Sequence, residues 1–103
     1  MKKRSVRVLA TANADIKAIY DWIVEVSGQP DVAEKFILLI YERCGQLVDF
    51  PEIGVARDDL LPGLRLLPFE RRAAIFYRIV GDEVQIVNVL YKGRDYNELT
   101  FEA

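Results

Sequence analysis

The chain contains no histidine, which removes the side chain that most often serves as acid or base near neutral pH. It has one cysteine, Cys44, so an internal disulfide is excluded. Cys44 falls in an apolar helical pattern, as a small buried hydrophobe would, and a reducing, cytoplasmic setting fits. Glycine and proline are sparse, 6 and 4 of 103 residues, while 51% of the chain is hydrophobic and 29% charged. That balance excludes disorder and low-complexity linkers and leads us to expect one ordered, soluble domain over residues 1–103. No run approaches the roughly 20 apolar residues a membrane helix needs. The opening MKKRSVRVLATANAD is basic, but its short apolar part is interrupted by Arg7 and Thr11, unlike a secretory leader. There is no His/Cys cluster, glycine-rich phosphate loop or Ser/His/Asp set. Asp58 and Asp59 are adjacent and would point apart in an extended loop, so no metal or nucleotide cofactor is expected.

What is present is charge, unevenly placed. The net charge is −2, giving the whole molecule no general attraction for nucleic acid. Residues 1–7 nevertheless carry four basic groups and no acidic one, and residues 60–79 carry four basic against one acidic. The intervening 8–59 and the closing 80–103 are acidic in balance. The two basic segments are expected to lie side by side in a sheet.

Periodicity supplies the elements. Ser5 to Thr11 alternates as a half-buried strand. From Asn13, read as an N-cap, Ile16, Ile19, Tyr20 and Ile23 fall on one helical stripe that stops at Gly28. Ala18, Trp22 and Val26 broaden that stripe, so the helix has a second face to bury. Asp31, with Glu34 three residues on, has the form of a capping box. Ala33, Phe36, Ile37, Ile40, Tyr41, Cys44, Leu47 and Val48 then repeat over about four turns, until Pro51 and Gly54. The short link between the helices predicts an antiparallel hairpin. Strand signals follow at Leu64–Leu67, stopping at Pro68, at Ala73–Val80, and at Glu83–Tyr91, the last two joined by a tight Gly81-Asp82 turn. The last strand is apolar in both alternating sets, as befits one with neighbours on both sides. The order β-α-α-β-β-β predicts an α+β fold, a helical hairpin on a twisted, mostly antiparallel sheet.

One stretch, LRLLPFERRAAIFYRI, places Arg65, Arg71, Arg72 and Arg78 beside Phe69, Phe76 and Tyr77. Alternation assigns Ala73, Ile75, Tyr77 and Ile79 to the core. Arg72, Phe76 and Arg78 then face the other way, with Arg65 beside them on a neighbouring strand. The bland reading is a solvated face with weak ion pairs. The functional reading is a dock, since guanidinium planes beside aromatics suit carboxylates, phosphates or nucleobases.

The segments ADIKAIYDWI, AEKFILLIYERCGQLVDFPEIG, GLRLLPFERRAAIFYRI and VQIVNVLYKGRD, in that order, resemble the ParE branch of the RelE/ParE toxin superfamily. The combination of a helix ending L-x-x-x-P-x-x-G with a later G-x-R and F-Y-R-I is the most specific part. The resemblance implies a toxin of a bacterial type II toxin-antitoxin module, neutralised by a ParD-like antitoxin whose tail, often acidic and amphipathic, wraps around it. It also implies two targets: ParE relatives inhibit DNA gyrase by protein-protein binding, whereas RelE relatives cut mRNA on the ribosome. For the binder, Arg65, Arg71, Arg72, Phe76, Arg78, Trp22, Lys92 and Arg94 are the candidate antitoxin or target contacts. For the nuclease, Arg65, Arg78 and Tyr91 are the candidate catalytic groups, with Glu70, Lys92, Arg94 and Tyr96 nearby in sequence; they act only if several converge. A homologue that binds antitoxin but has lost toxicity is the third reading. Trp22 and Val26 are either core or part of an antitoxin groove.

Overall fold

The computed structural model describes residues 4–70 and 72–91. The element order is β1 (Ser5–Val8), α1 (Ala10–Ser27), α2 (Pro30–Gln46), β2 (Val55–Ala56), β3 (Arg65–Phe69), β4 (Ala73–Val80) and β5 (Glu83–Tyr91). The strands form one sheet in the order β1-β5-β4-β3-β2, with β1 parallel to β5 and every other pairing antiparallel. The α+β class, the helical hairpin and the flanked position of β5 agree with expectation. The two basic segments, however, are not neighbours: β5 lies between β1 and β4.

Both helices bury one stripe. On α1 it is Ala12, Ile16, Ile19 and Ile23; on α2 it is Ala33, Phe36, Ile40 and Cys44. These meet Leu67, Ile75, Tyr77, Val84, Ile86 and Val89 from the sheet in the main core. Burial pushes the Cys44 thiol up to about 12, so it stays a neutral apolar filler. Trp22 and Val26 lie outside the stripe, 48% and 65% exposed, and Tyr41 is 42% exposed. The second buried face expected of α1 is therefore absent, and Tyr41 faces solvent, its hydroxyl donating to Asn13 Oδ1 at 3.4 Å.

The sheet face away from the helices carries a second core: Leu9, Ala74, Phe76, Val87 and Leu90. The segment 57–64 covers it with Leu60, Leu61 and Leu64. Arg57 grips Asp59 through two 2.9 Å hydrogen bonds, holding that carboxyl below its usual range, and Asp58 accepts from the Gly63 N–H. These local bonds shape the covering loop.

Helix α1 begins at Ala10 instead of Asn13, and the Asn13 N–H donates to the Leu9 carbonyl as an ordinary helical residue. The physical reason lies far along the chain, in β5. β1 pairs with β5 only as far as Ile86, so the β5 edge beyond it would be bare. The first turns of α1 cover that edge. The Leu9 N–H donates to Ile86 O, Thr11 Oγ1 donates to Val87 O, and Asp15 Oδ2 accepts from the Val89 N–H at 2.9 Å and from Asn88 Nδ2 at 3.0 Å. A bulge at Val87, where the β4 register slips between Phe76 and Tyr77, turns Asn88 toward Asp15. α2 likewise starts earlier than expected, with Pro30 in its first turn, Gln29 as N-cap and no side-chain cap. Asp31 sits inside the first turn, where its charge favours the helix dipole. Gly28 ends α1 with φ +67°, a conformation that other residues adopt at a cost. β3 runs through Pro68 instead of stopping there, because β2 pairs only with Arg65 and Leu66 and no strand asks Pro68 for a donor.

Asp15 therefore carries a long-range connection. Asp15→Ala leaves the Val89 N–H and Asn88 amide without their acceptor and is expected to cost about 1–3 kcal/mol. Urea denaturation checks this, with exposed Asp21→Ala expected within about 0.5 kcal/mol of the parent.

Candidate functional site

A buried tyrosine fastens the loop that follows α2. Tyr77 is 0% exposed. Its hydroxyl donates to the Pro51 carbonyl at 2.7 Å and accepts from the Gly54 N–H at 2.8 Å. Arg65 closes the same loop from the other side, Nη1 donating to the carbonyls of Glu52 and Gly54 at 3.1 and 2.8 Å. Position 54 must be glycine for a steric reason: a Cβ there would lie 2.6 Å from the Tyr77 hydroxyl. Burial raises the Tyr77 pKa above that of a free tyrosine, outweighing the Gly54 N–H that favours the ionised form.

The clamp changes the reading of the arginines. Arg65 pairs with Tyr77 across β3 and β4, so both point to the helix side of the sheet. Arg78, one residue on, points to the opposite side, where Nε donates to Gln85 Oε1 at 3.0 Å. Gln85 in turn pairs with Arg7 on β1. The expected single basic face joining Arg65 to Arg78 is therefore corrected: the sheet separates them. Phe76 faces the same way as Arg78, yet it is fully buried under the 57–64 loop and presents no surface. Arg72 is exposed at the β3–β4 hairpin, its N–H donating to Phe69 O. That hairpin places Glu70 at φ +52°, left-handed for a non-glycine residue. Tyr91 packs on the helix side, 5.1 Å from the Trp22 ring centre and 5.4 Å from that of Phe36. Arg71, Lys92, Arg94 and Tyr96 lie outside the described residues.

Beside the clamp runs a groove that the periodicity did not reveal. Three adjoining depressions of about 250, 360 and 420 Å³ connect α2 to β3 and to the clamped loop. Leu47, Leu67 and Phe69 form the buried floor. Leu39 stands on one wall, 42% exposed, and Phe50 and Ile53 on the other, 66% and 53% exposed. Fixing residues 51–54 is what holds Phe50 and Ile53 in place around it. The signal was present in the sequence as an apolar residue off the helical stripe, Leu39, and as Phe50 and Ile53 on either side of Pro51-Glu52. Among the described residues, no group of His, Cys, Asp or Glu is arranged to hold a metal, and no helix is long and apolar enough to cross a membrane.

The model of the family described as ParE toxin of type II toxin-antitoxin system, parDE, matches residues 6–96. The chain belongs to the ParE toxin family. A solved structure of the chromosomal ParDE system from P. aeruginosa is similar to it at 32% identity and TM-score 0.75, over 86% of this chain and 96% of that one. The toxin-antitoxin complex RelBE2 from Mycobacterium tuberculosis shares the fold at 20% identity and TM-score 0.58, over 88% of this chain and 100% of that one. No match is found among curated protein sequences. Of the residues in the motifs that carry the ParE resemblance, Pro51, Gly54, Arg65 and Tyr77 are here the parts of the clamp. In this ParE-family chain, at least one residue of each motif thus serves to fasten a loop.

Tyr77→Phe removes both clamp hydrogen bonds and is expected to lower stability by about 1–3 kcal/mol. The raised pKa adds a pH signature with a definite sign. Below the ordinary tyrosine value near 10 the phenol is neutral in both folded and unfolded chains, and its contribution is complete. As pH climbs past that value the unfolded chain ionises first, so the contribution falls. The gap between parent and Tyr77→Phe in urea midpoint is expected to stay constant up to about pH 10 and to narrow above it.

Proposed function

We propose that this ParE-family chain acts by binding proteins: that it inhibits DNA gyrase in the bacterial cytoplasm and is neutralised by a ParD-like antitoxin. The observation that carries the reading is the divergence of the candidate catalytic groups. Cleavage of RNA by its own 2′-hydroxyl needs an acid, a base and cations around one phosphate. Arg65 is committed to the loop carbonyls on the helix side, Arg78 lies on the other side, and Tyr91 packs tilted against Trp22 and edge-on against Phe36. The likeness to a ParDE system at 32% identity supports the ParD-like partner, and the gyrase target follows from the ParE resemblance. On this reading Arg65 and Phe76 act through the fold. Arg72, Arg78 and Trp22 remain as surface contacts, together with Arg71, Lys92 and Arg94 from the sequence reading.

Induction of the chain alone is expected to arrest bacterial growth, and purified protein to inhibit gyrase supercoiling at micromolar concentration without cleaving mRNA on ribosomes. Ribosomal cleavage with intact supercoiling is the result that overturns this reading in favour of the nuclease. Unaffected growth despite soluble expression favours the homologue without toxicity. Arg72→Ala and Arg78→Ala are expected to leave the urea midpoint within about 0.5 kcal/mol of the parent while raising the concentration needed for inhibition.

A further inference from the structure

The outward side of α2 carries two leucines that neither core uses. The buried stripe Ala33, Phe36, Ile40 and Cys44 leaves Leu38 near the middle of the opposite side, where it is 67% exposed, with Leu39 beside it at 42%. A lone surface hydrophobe needs no explanation. These two, however, are adjacent and bracketed by opposite charges, Lys35 about one turn before them and Glu42 about one turn after. Seven residues make nearly two whole turns, so Lys35 and Glu42 lie on one line along the helix, roughly 10 Å apart and too far to pair with each other. Among the described residues neither takes part in an ion pair. Arg43, next to Glu42, is turned to Gln46 by a 2.6 Å hydrogen bond. The outward stripe of α1 differs: Ala14, Ala18, Asp21 and Glu25 place no large apolar side chain there, and its exposed Trp22 packs against Tyr91.

We infer that this face receives a second copy of the chain, the two α2 helices crossing antiparallel about a twofold axis at Leu38 and Leu39. The order of the charges decides the orientation. Parallel helices would set Lys35 against the copy's own lysine and Glu42 against its own glutamate, a repulsion at both ends. Antiparallel helices set Lys35 of each copy against Glu42 of the other, so one self-complementary patch supplies two ion pairs. Between those pairs the four leucines meet and exclude water, Leu38 with its counterpart on one side of the axis and Leu39 with its counterpart on the other. A single helix-on-helix crossing belongs with the small interfaces, below about 1,200 Å² in total, so the dissociation constant is expected on the order of 1–100 µM. The inference goes beyond the toxin reading and does not depend on it. The contact shares Leu39 and Glu42 with the rim of the groove and leaves Arg78, on the far side of the sheet, uncovered.

Sedimentation equilibrium of the full chain, from about 1 to 200 µM so as to span that range, tests the contact. The parent is expected to pass from monomer to dimer, and the dimer to weaken with added salt. Leu38→Glu should leave the chain monomeric throughout. Lys35→Glu and Glu42→Lys should each do the same, because each sets like charges against one another at both ends of the crossing. Mixed in equal amounts, these two variants should dimerise again, since every facing pair is then Glu with Lys. The double variant Lys35→Glu/Glu42→Lys should dimerise by itself, and Arg78→Glu, on the other side of the sheet, should leave the parent's constant unchanged. All four positions are outside both cores, so urea midpoints should match the parent's and exclude misfolding as the cause. A parent that stays monomeric, a dimer that survives Leu38→Glu, or a mixture of the two charge variants that fails to associate overturns the inference. Growth arrest, gyrase inhibition and antitoxin binding are read separately, so the toxin reading stands or falls on its own.

Discussion

The hydroxyl of Tyr77 is the point on which the loop after α2 depends. One buried oxygen gives a hydrogen bond to Pro51 and takes one from Gly54, and so converts the exit of α2 from a free connection into a fixed wall. Its position is set by the sheet: Tyr77 lies in β4, the middle of five strands, with β5 on one side and β3 on the other. The wall is thus referenced to the most deeply paired part of the molecule. Arg65 adds a second fastening from the neighbouring strand. A loop that would otherwise be the least ordered part of the fold inherits the rigidity of its centre.

The sheet is covered on both faces by different means. The helices supply one core through two apolar stripes, and the 57–64 loop supplies the other through its leucines. Neither cover alone accounts for β4 and β5, whose residues alternate between the two cores. The third boundary is the lateral one. Because β1 is shorter than β5, the remaining β5 edge is closed by side chains of α1, with Asp15 standing in for the carbonyl a longer strand would have offered. α1 therefore does two tasks at right angles: its apolar stripe packs on the sheet face and its first turns seal the sheet edge.

Most of this was legible in the sequence where the information is local. The two helical stripes, the Gly28 stop, the Gly81-Asp82 turn and the alternation in β4 each follow from spacing alone. What was not legible depends on register between distant segments. In Arg65-Leu66-Leu67 the two alternating sets are nearly equal in hydropathy apart from the arginine itself, so nothing in β3 says which face Arg65 takes. The pairing of Arg65 with Tyr77 decides it, and a residue expected on the far face is put on the helix side, half-buried against loop carbonyls. The same holds for Asn13, a good cap by composition, which lost its place to Leu9 because Thr11 and Asp15 are needed at the second and sixth positions of a helix that meets β5. Phe76 faced the expected way, but the loop that covers it has no periodicity to announce it. The groove is not announced because a helical stripe is read from what it buries, and Leu39 belongs to what it leaves out.

The clamped loop also bears on how a partner would be held. A surface whose walls are already fixed loses little conformational freedom when it is occupied, so the ordering cost of association falls on the incoming chain. The buried phenol of Tyr77 thus fixes the host before any partner arrives, from beneath a surface it does not itself reach.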